Sequence, residues 1–227
     1  MNGLSTTLGD LLPAALGVAL SPVPIIATVL MLMSGHPRRT APAFAVGWVL
    51  GLVVVMAVVL VAVGKNGLDT SSTSDTTFWV KLVLGLLFLL LALRTWLSRP
   101  RAGQSPDPPA WMAKLDGLSP FAAVGLGAAL SGINPKNLAL TASGAVAIAS
   151  GELTATQTVV CVAVVVVIAS LLVVGPVVAF LVLGDRTAGP LQSLKTFMEM
   201  HNAAIMTVLL SVLGLSMLGE GLGGLLA

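Results

Sequence analysis

Leu-Gly-Val-Ala-Leu-Ser-Pro-Val-Pro, residues 16–24, and Leu-Gly-Ala-Ala-Leu-Ser-Gly-Ile-Asn, residues 126–134, are two copies of one phrase. They begin 110 residues apart in a chain of 227, which is close to half its length. Both lie in long apolar segments, and both run into prolines near the middle of the segment, at Pro22 and Pro24 in the first and at Pro135 in the second. Paired interruptions in the two halves of a chain indicate the binding site of a membrane transporter.

The composition of the chain predicts the solvent around it. Hydrophobic residues make up 56% of the chain and charged residues 9%, against about 25% charged residues in a soluble domain. The mean hydropathy of +1.02 agrees with this. Because so little charge cannot solvate a globular surface, we predict an integral membrane protein that crosses the bilayer several times. The single cysteine, Cys161, lies in an apolar run and indicates a small core residue.

Six apolar segments approach or exceed the length of about 20 residues that a helix needs to cross the hydrocarbon. The predicted fold is all-α, because helices satisfy their own backbone hydrogen bonds in lipid. The segments cover residues 4–33, 42–64, 77–97, 119–149, 154–183 and 202–218, and the last one starts there or several residues earlier. Within the second segment, Gly47-xxx-Gly51 predicts close packing against another helix without identifying which one.

The basic residues orient these segments. Eight of the eleven Lys and Arg residues lie in or next to the connections after segments one, three and five, with Arg94 near the end of segment three, and these connections share one side of the membrane. The positive-inside rule places that side in the cytoplasm, so both termini are expected outside the plasma membrane. Three crossings per half make the halves an inverted repeat, the arrangement that supports alternating access. We therefore predict a first repeat over residues 1–97, a cytoplasmic linker over 98–118 and a second repeat over 119–227.

The Asn134-Pro135-Lys136-Asn137 run is the strongest candidate for binding chemistry. Pro135 lacks an N–H and opens the helix, so the half-helix that follows is expected to present N–H donors and the positive end of its dipole. Lys136 adds a charge that costs at least about 2.5 to 3.5 kcal/mol at bilayer depth, and it should therefore face the protein interior or a wet cavity. This run predicts a pocket for a carboxylate or phosphate. The alternative is a kinked helix whose lysine snorkels or pairs with a carboxylate.

Ser21, Pro22 and Pro24 form the mirrored interruption. The two prolines remove two donors and leave carbonyls unpaired, and the hydroxyls of Ser21 and Thr28 are expected to donate to some of them. Ser131 is the counterpart of Ser21 in the second copy. We interpret these residues as a pocket wall or hinge that faces the lysine. The alternative is a packing kink, since proline is common in membrane helices.

Asp10, Glu199 and His201 are the candidates for proton coupling. Asp10 lies one or two turns into the first segment, where it can pair with Lys136 or carry a proton, or simply lie at the membrane interface. Glu199 and His201 lie at the cytoplasmic start of the last segment, where the histidine either relays protons or is solvated. The sequence has no metal-ligand cluster, nucleotide-binding loop or nucleophile–base pair. We therefore expect neither an enzyme nor a resident cofactor, and no nucleic-acid partner.

These interruptions resemble a known family. A Pro-x-Pro break in the first helix and an Asn-Pro-Lys break in the fourth are similar to those of the lysine exporter superfamily of small six-helix exporters. Residues 111–120, residues 125–137 and His201-Asn202 resemble its GAP-type branch, the actinobacterial and mycobacterial glycopeptidolipid- and sulfolipid-addressing proteins. The resemblance covers essentially the whole chain. It departs at residues 22–26, where Pro-Val-Pro followed by two isoleucines replaces Pro-Gly-Pro followed by a polar residue. This favours a substrate more hydrophobic than an amino acid.

The resemblance implies movement of an anionic envelope lipid or glycolipid, of the glycopeptidolipid, sulfolipid or prenyl-phosphate type, across the plasma membrane. The partners it implies are membrane lipids and this substrate, with a homodimer or an envelope-biosynthesis partner left open. Two alternatives remain. One is a proton-coupled exporter of an amino acid or another small solute, and the other is a non-transporting membrane scaffold for envelope synthesis. An opening towards lipid favours the first function, and a closed polar cavity favours small-solute export.

Overall fold

The computed structural model describes residues 3–66, 75–99, 117–151 and 153–226. The regular elements in these ranges are helical, as the sequence predicts. The polar loop at residues 65–76 and the predicted linker at 98–118 fall largely outside them. The elements are α1 (Gly3–Ala19), α2 (Pro22–Leu32), α3 (Pro37–Asn66), α4 (Asp75–Leu97), α5 (Pro120–Gly132), α6 (Pro135–Ser150), α7 (Ala155–Leu183), a 3-10 turn (Gly184–Thr187) and α8 (Ala188–Leu226).

Each of the two interrupted segments is a pair of helices, and a proline begins the second helix of each pair. The chain bends by 51° between α1 and α2, and Pro22 is the first residue of α2. Pro135 begins α6 in the same way. A proline at this position removes no hydrogen bond, because the first N–H groups of a helix have no partner within it. The predicted breaks in the middle of segments one and four are therefore confirmed.

Apolar helices of membrane-spanning length make the chain a membrane protein. In the described part of the chain, two stretches are long and apolar enough to cross a bilayer, Pro37–Ala62 and the 69-residue stretch Ala155–Gly223, and the bent pair of α1 and α2 makes a third when it counts as one span. The helix that contains the last predicted segment, α8, begins at Ala188, well before Asn202. Pro190 lies in the first turn of α8, where it costs no hydrogen bond, and the polar residues after it are compatible with a helix.

One compact unit combines Met1–Leu68 with Pro108–Met198. Within it, α3 packs along α5, α1 packs along α7, and α6 contacts both α1 and α3. The first half of each interrupted segment thus lies against the second helix of the other predicted repeat. A core cluster joins α1, α3, α6 and α7, and its buried members are Leu11, Ala15, Met56, Ala145, Ile148, Cys161 and Val165.

Glycines let α3 and α5 approach each other backbone to backbone. A Cβ atom on Gly47 would overlap the carbonyl oxygen of Val124, and a Cβ atom on Gly127 would overlap the carbonyl oxygen of Phe44. Gly51 also lies against α5. The structure thus identifies α5 as the partner of the Gly47-xxx-Gly51 pattern. Small residues are used in this way at helix contacts in membranes, where the backbones must come close for good packing.

A second unit combines Asp69–Asp107 with Glu199–Ala227. In its described part, α4 packs on the C-terminal part of α8, and a Cβ atom on Gly85 would lie 2.9 Å from the carbonyl oxygen of Gly214. The units group helices by packing, whereas the predicted repeats group them by sequence symmetry. The repeat boundaries therefore stay a prediction.

Candidate functional site

The Lys136 side chain is held at the break between α1 and α2. Lys136 is 7% exposed, and its Nζ donates a hydrogen bond of 2.7 Å to the carbonyl oxygen of Gly17. Gly17 lies in the last turn of α1, where carbonyls have no partner within the helix. The negative end of the α1 dipole stabilises a cation there. Because Gly17 has no Cβ, Leu140 of α6 can also pack against this turn.

Asn137 joins the two breaks to each other. Its Oδ1 accepts a hydrogen bond of 2.8 Å from the Ser21 hydroxyl, which lies between α1 and α2. Its Nδ2 donates a bond of 3.0 Å to the carbonyl oxygen of Leu130, near the end of α5. Asn137 is fully buried, so both of these bonds are shielded from water. One side chain therefore closes both interruptions, and the two copies of the repeated phrase meet in space.

The α6 half-helix has fewer free donors than the sequence suggests. Asn134 is its N-cap, and the Asn134 Oδ1 accepts a bond of 3.1 Å from the backbone N–H of Lys136. Asparagine is a preferred residue at this position because it satisfies such a donor. The expectation that the α6 terminus presents open N–H groups is thus wrong for the Lys136 N–H. The positive side chain of Lys136 becomes the main attraction for an anion.

Two of the three hydroxyls near the breaks donate to backbone carbonyls of their own helix turn. Thr28 Oγ1 donates to the carbonyl oxygen of Pro24 at 2.9 Å, as expected for a hydroxyl that takes up a freed carbonyl. Ser131 Oγ donates to the carbonyl oxygen of Ala128 at 3.2 Å. Ser21 donates to Asn137 and not to a backbone carbonyl. These residues build the walls around the breaks, while Lys136 supplies the charge.

The three candidates for proton coupling take no part in these hydrogen bonds. Asp10 is exposed on α1, and the Lys136 ammonium bonds to the Gly17 carbonyl, so the structure does not pair these two charges. Glu199 and His201 belong to the second unit, where His201 is exposed and Glu199 is half-buried on α8. Their role in proton coupling stays a prediction.

Three buried polar atoms were missed by the sequence analysis. Among the described residues, Trp48 Nε1, Thr141 Oγ1 and Ser170 Oγ are buried without a hydrogen-bond partner. Leaving such a group unpaired costs about 1 to 3 kcal/mol, so each is a candidate to meet a polar group of a ligand. Thr141 lies one turn after Asn137, and this i, i+4 spacing on a helix was a usable signal. Trp48 and Ser170 sit in apolar runs that gave no such signal.

The arrangement is suited to binding an anion. An ammonium has three N–H donors, and within the described residues the Lys136 ammonium makes its hydrogen bond to Gly17 alone. Two donors therefore remain for a ligand. The Gly17 carbonyl is neutral overall and does not cancel the charge of the ammonium, so the site stays positive. An anionic headgroup therefore complements it. The described residues contain no group of three or more side chains that could hold a metal ion.

The fold and the site together define a helical integral membrane protein with an internal cationic site between two broken helices. The chain belongs to the family of Sap, the sulfolipid-1-addressing protein, whose family model matches residues 11–223. This confirms the resemblance to the glycopeptidolipid- and sulfolipid-addressing proteins, while membership of the wider lysine exporter superfamily stays a prediction. No curated protein and no solved structure matches the chain.

Proposed function

We propose that the protein moves an anionic lipid or glycolipid of the cell envelope across the plasma membrane, and that Lys136 recognises the anionic headgroup. The observation that carries this proposal is the buried ammonium at the place where two helix breaks meet. Family membership supports this proposal, because the family is named after Sap, the sulfolipid-1-addressing protein. A sulfate or phosphate supplies the negative charge that complements the ammonium.

The break between α5 and α6 is accessible from the side. Ile133 is 74% exposed, and Pro135 is also exposed, although the neighbouring Lys136 is buried. A lipid can therefore keep its chains in the bilayer while its headgroup approaches the lysine. This access favours a lipid over a small solute, which would need a closed polar cavity.

The helix pairing supports an architecture of six spans in two inverted repeats. The symmetry that relates the two predicted repeats places α1 on α5 and α3 on α7. Under this symmetry, the pair of α1 and α7 corresponds to the pair of α5 and α3. Both pairs are among the most extensive helix contacts of the first unit. We propose the six spans as α1 with α2, α3, α4, α5 with α6, α7, and α8.

A difference between two equivalent helix pairs supports alternating access. α1 packs closely on α6, whereas α2 and α5 touch at few residues. The same exchange of repeats converts one of these pairs into the other, so the structure corresponds to one end state of the cycle. In the orientation expected from the basic residues, α1 and α6 are the external halves. This state is then closed to the outside.

Locking α1 to α6 is expected to stop transport. A Cβ atom on Gly151 would lie 2.8 Å from the Thr7 Oγ1, so cysteines at these two positions are close enough for a disulfide. In a Cys161→Ala background, Thr7→Cys with Gly151→Cys should fall to the protein-free rate of lipid transport when oxidised. Each single variant should transport normally, and reduction should restore the double variant. Transport that continues in the oxidised double variant would rule out an opening between α1 and α6.

Thiol labelling tests the proposed orientation, using two positions outside the described residues. A cysteine at Ser72 should react with a membrane-impermeant reagent in whole cells, and a cysteine at Gln104 only after permeabilisation. The expectation follows from the excess of basic residues on one side. Cys161 is buried and serves as the unreactive reference. The reverse labelling pattern would invert the orientation but leave the inverted repeat intact.

Reconstitution of the purified protein tests the function. Vesicles should carry a fluorescent sulfated glycolipid, and an impermeant quencher should report the fraction in the outer leaflet. We expect wild-type protein to move this lipid between leaflets faster than protein-free vesicles do. Movement of labelled lysine without movement of the lipid would replace the proposal with small-solute export. Movement of neither, with intact binding to an envelope synthase, would identify a scaffold.

A further inference from the structure

We infer that a basic pocket at the α2–α3 turn, together with an apolar groove along α7, is the site where the anionic lipid loads before it reaches Lys136. The headgroup occupies the pocket and one chain occupies the groove. The inference rests on the proposed function, because it names the entry site of the same substrate.

The pocket is a cavity of about 440 Å³ formed by residues 35–39 with Phe180 and Asp185. It brings together the turn after α2 and the turn after α7. Arg38 and Arg39 are exposed in its wall, and neither forms an ion pair with Asp185. Two guanidinium groups outweigh one carboxylate, so the pocket carries net positive charge. Arginine binds sulfate and phosphate through paired hydrogen bonds, which suits a lipid headgroup bearing either group.

The groove begins beside the pocket. It has a volume of about 680 Å³ and runs along α7 from Val166 to Leu183, with Val49 of α3 on its other wall. At about 1.5 Å per residue these α7 positions extend over roughly 26 Å, whereas one leaflet of hydrocarbon is about 15 Å thick. A groove of this length holds a long acyl chain.

The groove wall suits the apolar chain of an anionic lipid. The groove wall is apolar apart from Ser170, whose hydroxyl is buried and has no partner among the described residues. The Ser170 oxygen itself is covered, so the surface that a lipid chain would contact is apolar. The pocket and the groove are contiguous on α7, because Phe180 lines the pocket while Ala179 and Leu183 line the groove. Positive charge at one end of an apolar channel complements an anionic lipid and not a neutral one.

α2 links this site to the lysine. It runs from Pro22, next to the break, to Leu32, close to the pocket, which is about 16 Å at the usual rise of a helix. The contact between α2 and α5 is slight in this structure. Most α2 residues are buried in this structure, so we propose that the headgroup moves from the arginines to Lys136 when α2 separates from its neighbours, while its chain stays in the membrane.

Photolabelling tests the site directly. The probe is a sulfated glycolipid with a diazirine at the end of one acyl chain, and the reference is the same lipid without the sulfate. In vesicles containing the full chain, the sulfated probe should label α7 between Val166 and Val178, as mapped by mass spectrometry. Arg38→Gln with Arg39→Gln should lower this labelling by about tenfold or more, because hydrogen bonds between charged groups are lost. Arg94→Gln removes an exposed arginine elsewhere and should leave labelling unchanged.

A second variant fills the groove. A Cβ atom on Gly175 would meet nothing within 4 Å, so Gly175→Trp should fold normally and exclude the chain. Gly9→Trp is the matched control, because Gly9 also faces open space but lies on α1. We expect Gly175→Trp to lose both labelling and transport and Gly9→Trp to keep both.

The outcomes separate this inference from the proposed function. Normal labelling and transport in the arginine and Gly175 variants would overturn the loading site while transport stands. Expected labelling without any transport by wild-type protein would keep the lipid site and overturn the transport function. Equal labelling by the sulfated and the unsulfated probe would show a groove filled by bulk lipid. Protection of the groove by a second copy of the chain, in a dimer that persists in detergent, would also overturn the inference.

Discussion

Replacing Lys136 by methionine is expected to leave the protein folded and inserted but to slow lipid transport by about 10- to 100-fold, as for the loss of a hydrogen bond between charged groups. Methionine keeps most of the side-chain volume, and removing the cost of a buried charge offsets the penalty of about 1 to 3 kcal/mol for an unpaired carbonyl. It leaves the Gly17 carbonyl without its donor, and it leaves an anionic headgroup without its cation. The measurement is leaflet-resolved transport of the sulfated glycolipid in vesicles.

Two further variants sharpen this prediction. Lys136→Arg should keep part of the activity if charge alone is recognised, and little if the compact ammonium must fit beside Gly17, because the two cations differ in shape. Lys195→Ala removes a lysine at the predicted cytoplasmic side and should transport normally. Transport at the wild-type rate by Lys136→Met would make the lysine a structural residue, and the site assignment would then be wrong.

Replacing Gly127 by leucine is expected to destabilise the first unit by about 3 kcal/mol or more. A Cβ atom at this position would overlap the Phe44 carbonyl oxygen and would lie 2.7 Å from the backbone nitrogen of Trp48. Side chains can rotate away from an added group, but helix backbones cannot, so α5 would have to leave α3. Overpacking in a core typically costs about 1 to 3 kcal/mol and occasionally more, and a contact between backbones should reach the upper end of that range.

Gly125 offers a matched control two residues away on the same helix. A Cβ atom on Gly125 would meet nothing within 4 Å, so Gly125→Leu should behave like the wild type. Thermal unfolding in detergent and the yield of monodisperse protein report the difference between the two variants. Equal stability of Gly127→Leu and Gly125→Leu would contradict the close approach of α3 and α5.

Much of the local structure was accessible from the sequence. Low charge predicts a membrane protein, and long apolar runs predict helices, because a chain in lipid must pair its backbone internally. The prolines at Pro22 and Pro135 predict the breaks, since proline cannot continue a helix interior without losing a hydrogen bond. The start of α8 was not predicted, because the polar residues before Asn202 resemble a loop by composition while remaining compatible with a helix.

The partners of these residues were not accessible from the sequence alone. The sequence identifies Lys136 as a costly charge and leaves snorkelling or pairing with a carboxylate as its structural alternatives, whereas the acceptor in the structure is the carbonyl of Gly17. A free carbonyl at a helix end carries no sequence signature of its own. Asn137 was grouped with the lysine as a ligand-binding residue, and its hydrogen bonds to Ser21 and Leu130 reveal a clamp between the breaks.

The amino-acid sequence is enough to predict the membrane environment, the helical elements, the two broken segments and the lysine beside the second break. Each of these depends on residues that are close along the chain, through hydrophobic length, proline geometry and the cost of a charge in lipid. Tertiary structure alone decided that α5 is the partner of Gly47 and Gly51 and that the arginines of one turn share a pocket with the end of α7. Small-residue patterns and basic turns are compatible with several neighbours, and only the packing of the whole unit selects one of them.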